Sequence, residues 1–158
     1  MNNPIIFLDY DGVVNTIYWR EYPRNPEHPR GIFRADFAHA SDGFVNNFQA
    51  ICWLNETYKK CPYDIVVSST WRVYDNYIEC LYNAGLNKDI KVIGKTPRLD
   101  GNRGDEIKQW INDNQFTGKY AILDDDADMG DIIDHLVQCD TNYGYNINEM
   151  YKVLEKIM

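Results

Sequence analysis

Apolar and polar positions along the chain fall into two kinds of run. Short continuous apolar stretches occur at Pro4–Asp9 (PIIFLD), Ile65–Ser68, Ile90–Ile93, Tyr120–Leu123 and Leu136–Cys139. Such runs, without strict alternation, predict strands buried on both faces. Segments of helical period lie between them. Ser41 or Asp42 is placed to cap a helix ending near Lys60, with Phe44, Phe48, Ile51 and Cys52 on one face. Val73–Asn83 puts Tyr74, Tyr77, Ile78 and Leu81 on one stripe, and Gly85 is a suitable stop. Arg103–Asn114 buries Ile107, Trp110 and Ile111, and Ile147–Met158 turns Ile147, Met150, Tyr151, Leu154 and Ile157 inward. Strands alternating with helices predict right-handed βαβ units and a three-layer, Rossmann-like α/β fold with a parallel sheet of about five strands.

Residues 13–40 interrupt this pattern. They show no clean period and contain Pro23, Pro26, Pro29 and Gly31, which predicts a loop or flap. Tyr18, Trp19, Tyr22, Phe33 and Phe37 interleave there with Arg20, Arg24, Arg30 and Arg34. Aromatic rings with arginines can stack a base and hold a backbone phosphate, or the rings can simply pack on the body of the protein.

The length of 158 residues fits one domain spanning 1–158. The formal net charge of −8 disfavours bulk binding of duplex DNA or an anionic membrane. The apolar run at the N-terminus stops at Leu8, too short for a signal peptide, and no run is long enough to span a bilayer. Cys52, Cys61, Cys80 and Cys139 form no close C-x-x-C pair, so reduced core thiols in a cytoplasmic protein are expected.

In a parallel sheet, ligands gather outside the carboxyl ends of the strands. The first predicted strand is followed by Asp9, Tyr10, Asp11 and Gly12, and the second by Ser68, Ser69, Thr70, Trp71 and Arg72. Lys95 follows the third, and Asp124, Asp125, Asp126 and Asp128 follow the fourth. Carboxylates, hydroxyls and cations converging on one edge suit a hard cation and an oxyanion together, with Mg²⁺ bound by carboxylates and a substrate phosphate. Asp9 is then placed to attack phosphorus, Asp11 to protonate the leaving alcohol and later activate water, and Gly12 to turn the backbone sharply beside the phosphate. The acidic run from Asp124 does not fit an EF-hand, since Met129 stands where the loop glycine belongs.

LDYDGVVN resembles the D-x-D-G-[VT] signature of the haloacid dehalogenase (HAD) superfamily of phosphohydrolases. IVVSS resembles its strand ending in a phosphate-binding Ser or Thr, Arg103 its Lys/Arg motif, and AILDD its strand ending in paired Mg²⁺-binding acids. More narrowly, SSTWR, RGDEI-x-x-W and LDDDAD resemble the small HAD domains found with RNA-repair proteins. The resemblance implies a strand order of 3-2-1-4-5. It makes Asp9 nucleophile and metal ligand, and Asp11 a carbonyl ligand and acid/base. It assigns Ser69 to phosphate, Arg103 to charge neutralisation, and Asp124 and Asp125 to Mg²⁺. Ser68, Lys95 and Asp128 are alternative fillings for Ser69, Arg103 and Asp125, with Asp125 preferred. Ser68, Thr70, Arg72 and Lys95 are further candidates for contact with substrate. HAD enzymes often insert a cap after the first motif or between the second pair of strands. Residues 13–40 are too few for a helical cap and 71–102 leave no room, so no large cap domain is expected.

The function expected is Mg²⁺-dependent phosphomonoester hydrolysis through a phospho-aspartate. The expected partner is a phosphorylated small molecule or nucleic-acid end: a nucleotide, a nucleic-acid phosphate terminus or, failing those, a small metabolite. A receiver-like signalling domain is the alternative class. It would need its acceptor aspartate after the third strand, where this chain has Gly94 and Lys95.

Overall fold

The structure, a computed structural model, describes residues 3–16, 45–46 and 48–158. The strands are β1 (Ile5–Leu8), β2 (Asn15–Thr16), β3 (Val45–Asn46), β4 (Asp64–Val67), β5 (Val92–Lys95), β6 (Tyr120–Asp124) and β7 (Leu136–Gln138). The helices are α1 (Phe48–Lys60), α2 (Tyr77–Asn83), α3 (Arg103–Asp113) and α4 (Ile147–Ile157), with 3-10 turns at Thr70–Val73 and Gly130–His135. Five strands form one parallel sheet in the order β5-β4-β1-β6-β7. Counted along the chain, that is the predicted 3-2-1-4-5. The short β2 and β3 pair antiparallel outside it.

β1 reads as an unbroken apolar run because both of its faces are covered. Ile6 and Leu8 join a core with Ile51 and Leu54 of α1, Leu81 of α2, and Met150, Val153 and Leu154 of α4. Ile5 and Phe7 face the other way, onto Ile107 and Trp110 of α3 and onto Met129. Phe7 meets Trp110 edge-on at 5.5 Å. Burying each such side chain contributes about 1.5–3 kcal/mol. With β1 central, its carboxyl end and those of β4 and β6 open side by side, and these are the ends that carry the acidic and hydroxyl residues.

Four expectations shift. The helix expected from Ser41 or Asp42 begins at Phe48, because Val45–Asn46 pair with β2 as a strand. The helix predicted from Val73 begins instead at Tyr77. Ser69 caps a 3-10 turn whose last residue is followed by Tyr74 in an extended conformation, so the helical stripe cannot start there. Ile90–Ile93 is displaced to Val92–Lys95, because Ile90 is wholly buried ahead of the strand and the edge strand itself alternates between half-buried and exposed. On α4, Ile147 and Tyr151 are exposed at 41 % and 56 %, and Val153 takes the inward place. All four cysteines are free thiols. Of the flap at 13–40, residues 17–40 lie outside the described residues, as do the helix-capping candidates Ser41 and Asp42. Val13 and Val14 are fully buried, so the segment leaves the core through packed backbone. The described residues show no large cap, and no helix among them is long and apolar enough to cross a membrane.

Candidate active site

The carboxyl end of β1 passes into a tight turn. The carbonyl of Tyr10 accepts from the amides of Val14 and Asn15, and the amide of Gly12 returns to the carbonyl of Asn15 at 2.7 Å. Gly12 has φ +76°, and a Cβ there would stand 2.2 Å from Cγ of Asp125. Only glycine satisfies both the left-handed backbone and the close approach of the β6 loop.

This turn brings Asp9 against β6. One carboxylate oxygen from each of Asp9, Asp124 and Asp125 lies within 4.8 Å of the other two. Asp9 and Asp124 are buried at 5 % and 1 % exposure. Burial, opposed by the charge of Arg103, raises Asp9 to about 6. Burial and then the neighbouring Asp9 raise Asp124 to about 7. Oδ1 of Asp124 accepts from the amide of Asp126 at 3.0 Å, while its buried Oδ2 has no hydrogen-bond partner among the described residues. Asp125 is held by the hydroxyl of Thr141 at 2.8 Å. Three crowded carboxylates, one with an orphaned oxygen, fit a hard divalent cation such as Mg²⁺, whose preferred ligands are carboxylate oxygens. Asp128 does not join them: it is exposed, and its carbonyl accepts from the amide of Gly104.

The cation of the site is Arg103, the first residue of α3. Its guanidinium reaches Oδ1 of Asp9 at 3.4 Å, lies 3.8 Å from Oδ2 of Asp124, and donates to the carbonyl of Ser68. Asn102 caps the helix by accepting from the amide of Asp105 at 2.9 Å. Gly104 lets the helix start press against the β6 loop, since a Cβ there would stand 2.1 Å from the carbonyl oxygen of Met129. Lys95, the alternative cation, is exposed and turned away. It donates to the carbonyl of Arg72 at 2.9 Å and lies 5.0 Å from the centre of the Tyr77 ring.

Ser68 and Ser69 end β4, both fully buried. The Ser69 hydroxyl accepts from the amide of Trp71 at 3.3 Å and hydrogen-bonds to Asp9, while that of Ser68 has no partner among the described residues. The Ser69 hydroxyl therefore stands at Asp9, while Ser68 meets Arg103 through its carbonyl and keeps its buried hydroxyl uncommitted. Thr70 is exposed and, with Arg72, Arg98, Leu99, Arg103, Asp126 and Asp128, lines an open cleft of about 200 Å³ that shares Arg103 with the carboxylate cluster. Arg72, expected at the substrate, borders this cleft with its guanidinium bonded within the fold. It is 5 % exposed and donates to the carbonyls of Ser68 and Ser69, both at 2.7 Å, to that of Pro97 at 3.3 Å, and to Glu106 at 2.8 Å. It shapes the serine turn from beneath.

Asp11 is half-buried. Its Oδ1 accepts from the Asn15 amide at 3.2 Å and its Oδ2 from the Trp71 indole at 2.8 Å. Neither partner follows from residue type or spacing, nor does Glu106. Two of them lie in the stretches SSTWR and RGDEI, and Asn15 closes LDYDGVVN.

A parallel sheet of this order, with acids after β1 and β6, serines after β4 and an arginine opening α3, defines the class: a HAD domain, whose superfamily is one of phosphohydrolases. Within it, the chain belongs to the family of HAD domains in Swiss Army Knife RNA repair proteins, which it matches over residues 5–149. The fold is shared with the HAD domain of the effector protein Lem4 from Legionella pneumophila, at 20 % identity and a TM-score of 0.58 over 98 % of this chain and 95 % of that one. An inactive mutant of that domain aligns at 19 % identity and a TM-score of 0.59, over 99 % and 95 %. No curated protein gives a significant match.

Proposed function

We propose that this domain hydrolyses phosphate monoesters through a phospho-aspartate at Asp9, with Mg²⁺ held by Asp9, Asp124, Asp125 and the carbonyl of Asp11. The observation that carries the reading is Arg103, a cation anchored within 4 Å of both buried acids, with the Ser69 hydroxyl also at Asp9. Bound Mg²⁺ would offset the charge of the substrate oxygens and keep Asp9 ionised at neutral pH.

An oxygen of Asp9 bonds to phosphorus as the bond from phosphorus to the leaving oxygen breaks. The electron pair of that bond stays on the leaving oxygen, which takes a proton from Asp11. The carboxylate of Asp11 then removes a proton from water as the water oxygen bonds to phosphorus. The bond from Asp9 to phosphorus breaks, the electrons return to the carboxylate, and inorganic phosphate leaves. Arg103 and the Ser69 hydroxyl, both at Asp9, would face the phosphoryl oxygens as their charge redistributes.

For substrate we propose nucleotides or nucleic-acid phosphate ends. The family's occurrence in RNA repair proteins supports this, as does a site without a large cap among the described residues. The test is a panel of nucleoside monophosphates, sugar phosphates and oligonucleotides with 3′- or 5′-phosphate ends, assayed with Mg²⁺. Hydrolysis lost in EDTA and in Asp9→Asn is expected. Activity surviving either would overturn the mechanism, and activity on sugar phosphates alone would overturn the substrate class.

A further inference from the structure

We propose that Trp71 is a positioning residue for the proton donor Asp11, so that its indole N–H sets how well the enzyme expels poor leaving groups. The inference rests on the proposed hydrolysis and extends it to a residue outside the reacting set. Trp71 Nε1 donates to Oδ2 of Asp11 at 2.8 Å, across 60 residues of chain. The Asn15 amide takes Oδ1 at 3.2 Å, so each carboxylate oxygen has one donor and the plane of the group is fixed.

The indole is itself immobilised. Its ring stands 6.3 Å from that of Tyr10 and 5.7 Å from that of Tyr74. Tyr10 is locked in turn by its hydroxyl, which donates to the carbonyl of Tyr77 at 2.5 Å. The backbone amide of the same tryptophan donates to Ser69, so one residue ties the β1 turn to the β4 turn.

An indole N–H only donates. It cannot compete for the proton that Asp11 passes on. As that proton moves to the leaving oxygen, negative charge grows on Asp11, and hydrogen bonds to charged acceptors are roughly twice as strong as neutral ones. With the indole and the Asn15 amide both in place the Asp11 carboxyl is held in one plane through that transfer, and without the indole it can rotate out of the orientation the transfer needs. The value of that hold depends on the leaving group. A poor one needs the proton, and an activated one departs without it.

The test compares Trp71→Phe with the unaltered protein in Mg²⁺ on ethyl phosphate, trifluoroethyl phosphate and p-nitrophenyl phosphate. The first two have nearly the same shape and differ in leaving ability. The readout is kcat/KM, which reports the first phosphoryl transfer. Loss of the donor should lower kcat/KM on ethyl phosphate by about 10- to 100-fold, a part of what general acid catalysis supplies. The loss should shrink progressively on the other two esters, widening the spread across the series at least about tenfold. Trp71→Leu, which keeps an apolar side chain there and again lacks the donor, should show the same ordering even if Trp71→Phe folds poorly. An equal loss on all three esters, or none, overturns the proposal and leaves Trp71 a packing residue. If the unaltered protein shows no Asp9-dependent hydrolysis of any ester, the proposed function fails first and this inference falls with it.

Discussion

The Arg72 guanidinium meets the Glu106 carboxylate at 2.8 Å, with both side chains below 10 % exposure, directly beneath the Ser68–Ser69 turn. Glu106 also accepts from the amide of Leu99 at 3.1 Å, which fixes the loop entering α3. Removing one partner of a buried pair costs about 3–5 kcal/mol, because the other charge is stranded. We expect Glu106→Gln to lose stability on that order in urea denaturation and to weaken phosphate binding as well. A variant within about 1 kcal/mol of the parent, well under that cost, would show that the pair does not support the turn.

The acids at the centre predict a pH dependence. Asp9 and Asp124 are raised to about 6 and about 7 in the fold, chiefly by burial, from an ordinary 3.8. The folded state holds their protons more tightly, so their contribution to stability is complete below that ordinary value. It drains away as pH rises through about 6 to 7 and is constant above. Mg²⁺, held as proposed, would favour the ionised form and compensate in the upper range. The melting temperature in Mg²⁺ minus that in EDTA should be near zero around pH 5 and largest above about pH 7, where both acids ionise freely. An equal difference at both ends would contradict the assignment.

Asp124→Asn should abolish the Mg²⁺-induced rise in melting temperature while leaving the EDTA form at least as stable as the parent at neutral pH. It removes an acid whose ionisation burial opposes and keeps the oxygen that accepts from the amide of Asp126. Asp128→Asn should leave that rise in place, since Asp128 stands outside the carboxylate cluster.

Gly12→Ala combines a left-handed φ of +76° with a Cβ driven to 2.2 Å from Asp125. The backbone penalty alone is about 1–2 kcal/mol. The heavier consequence is displacement of Asp125, a proposed metal ligand, so isothermal titration should show Mg²⁺ affinity reduced at least about tenfold, comparable to the loss of an interaction that supports a ligand. Unchanged affinity would mean that Asp125 is not a ligand.

Where the sequence was legible, a physical constraint acted on consecutive residues. β1 lies between two cores and has no polar face to interrupt it, so PIIFLD announced itself. The acids after β1 and β6 were found because parallel strands end where ligands gather. The edge strand β5 was placed two residues early, since an exposed edge imposes no periodicity and buried Ile90 imitates a strand residue. On α4, apolar identity alone did not distinguish buried Val153 from exposed Tyr151. Arg72 looked like a phosphate ligand because its chemistry permits it. Its bonding within the fold depends on carbonyls of the turn and on Glu106, 34 residues away. The same holds for Trp71 and Asp11, whose meeting is a product of the finished fold.

The contact of Gly104 with Met129 carries a consequence for how this site can change. The amide of Gly104 donates to Asp128 and its missing Cβ admits the carbonyl of Met129, so the start of α3 and the loop after β6 are keyed together. Arg103 and the pair Asp124–Asp125 thus behave as parts on one bracket. An insertion in the loop or a side chain at 104 would misalign Arg103 and the proposed metal ligands at once. New specificity can therefore be grafted most freely onto the opposite rim, while this bracket stays within narrow tolerances.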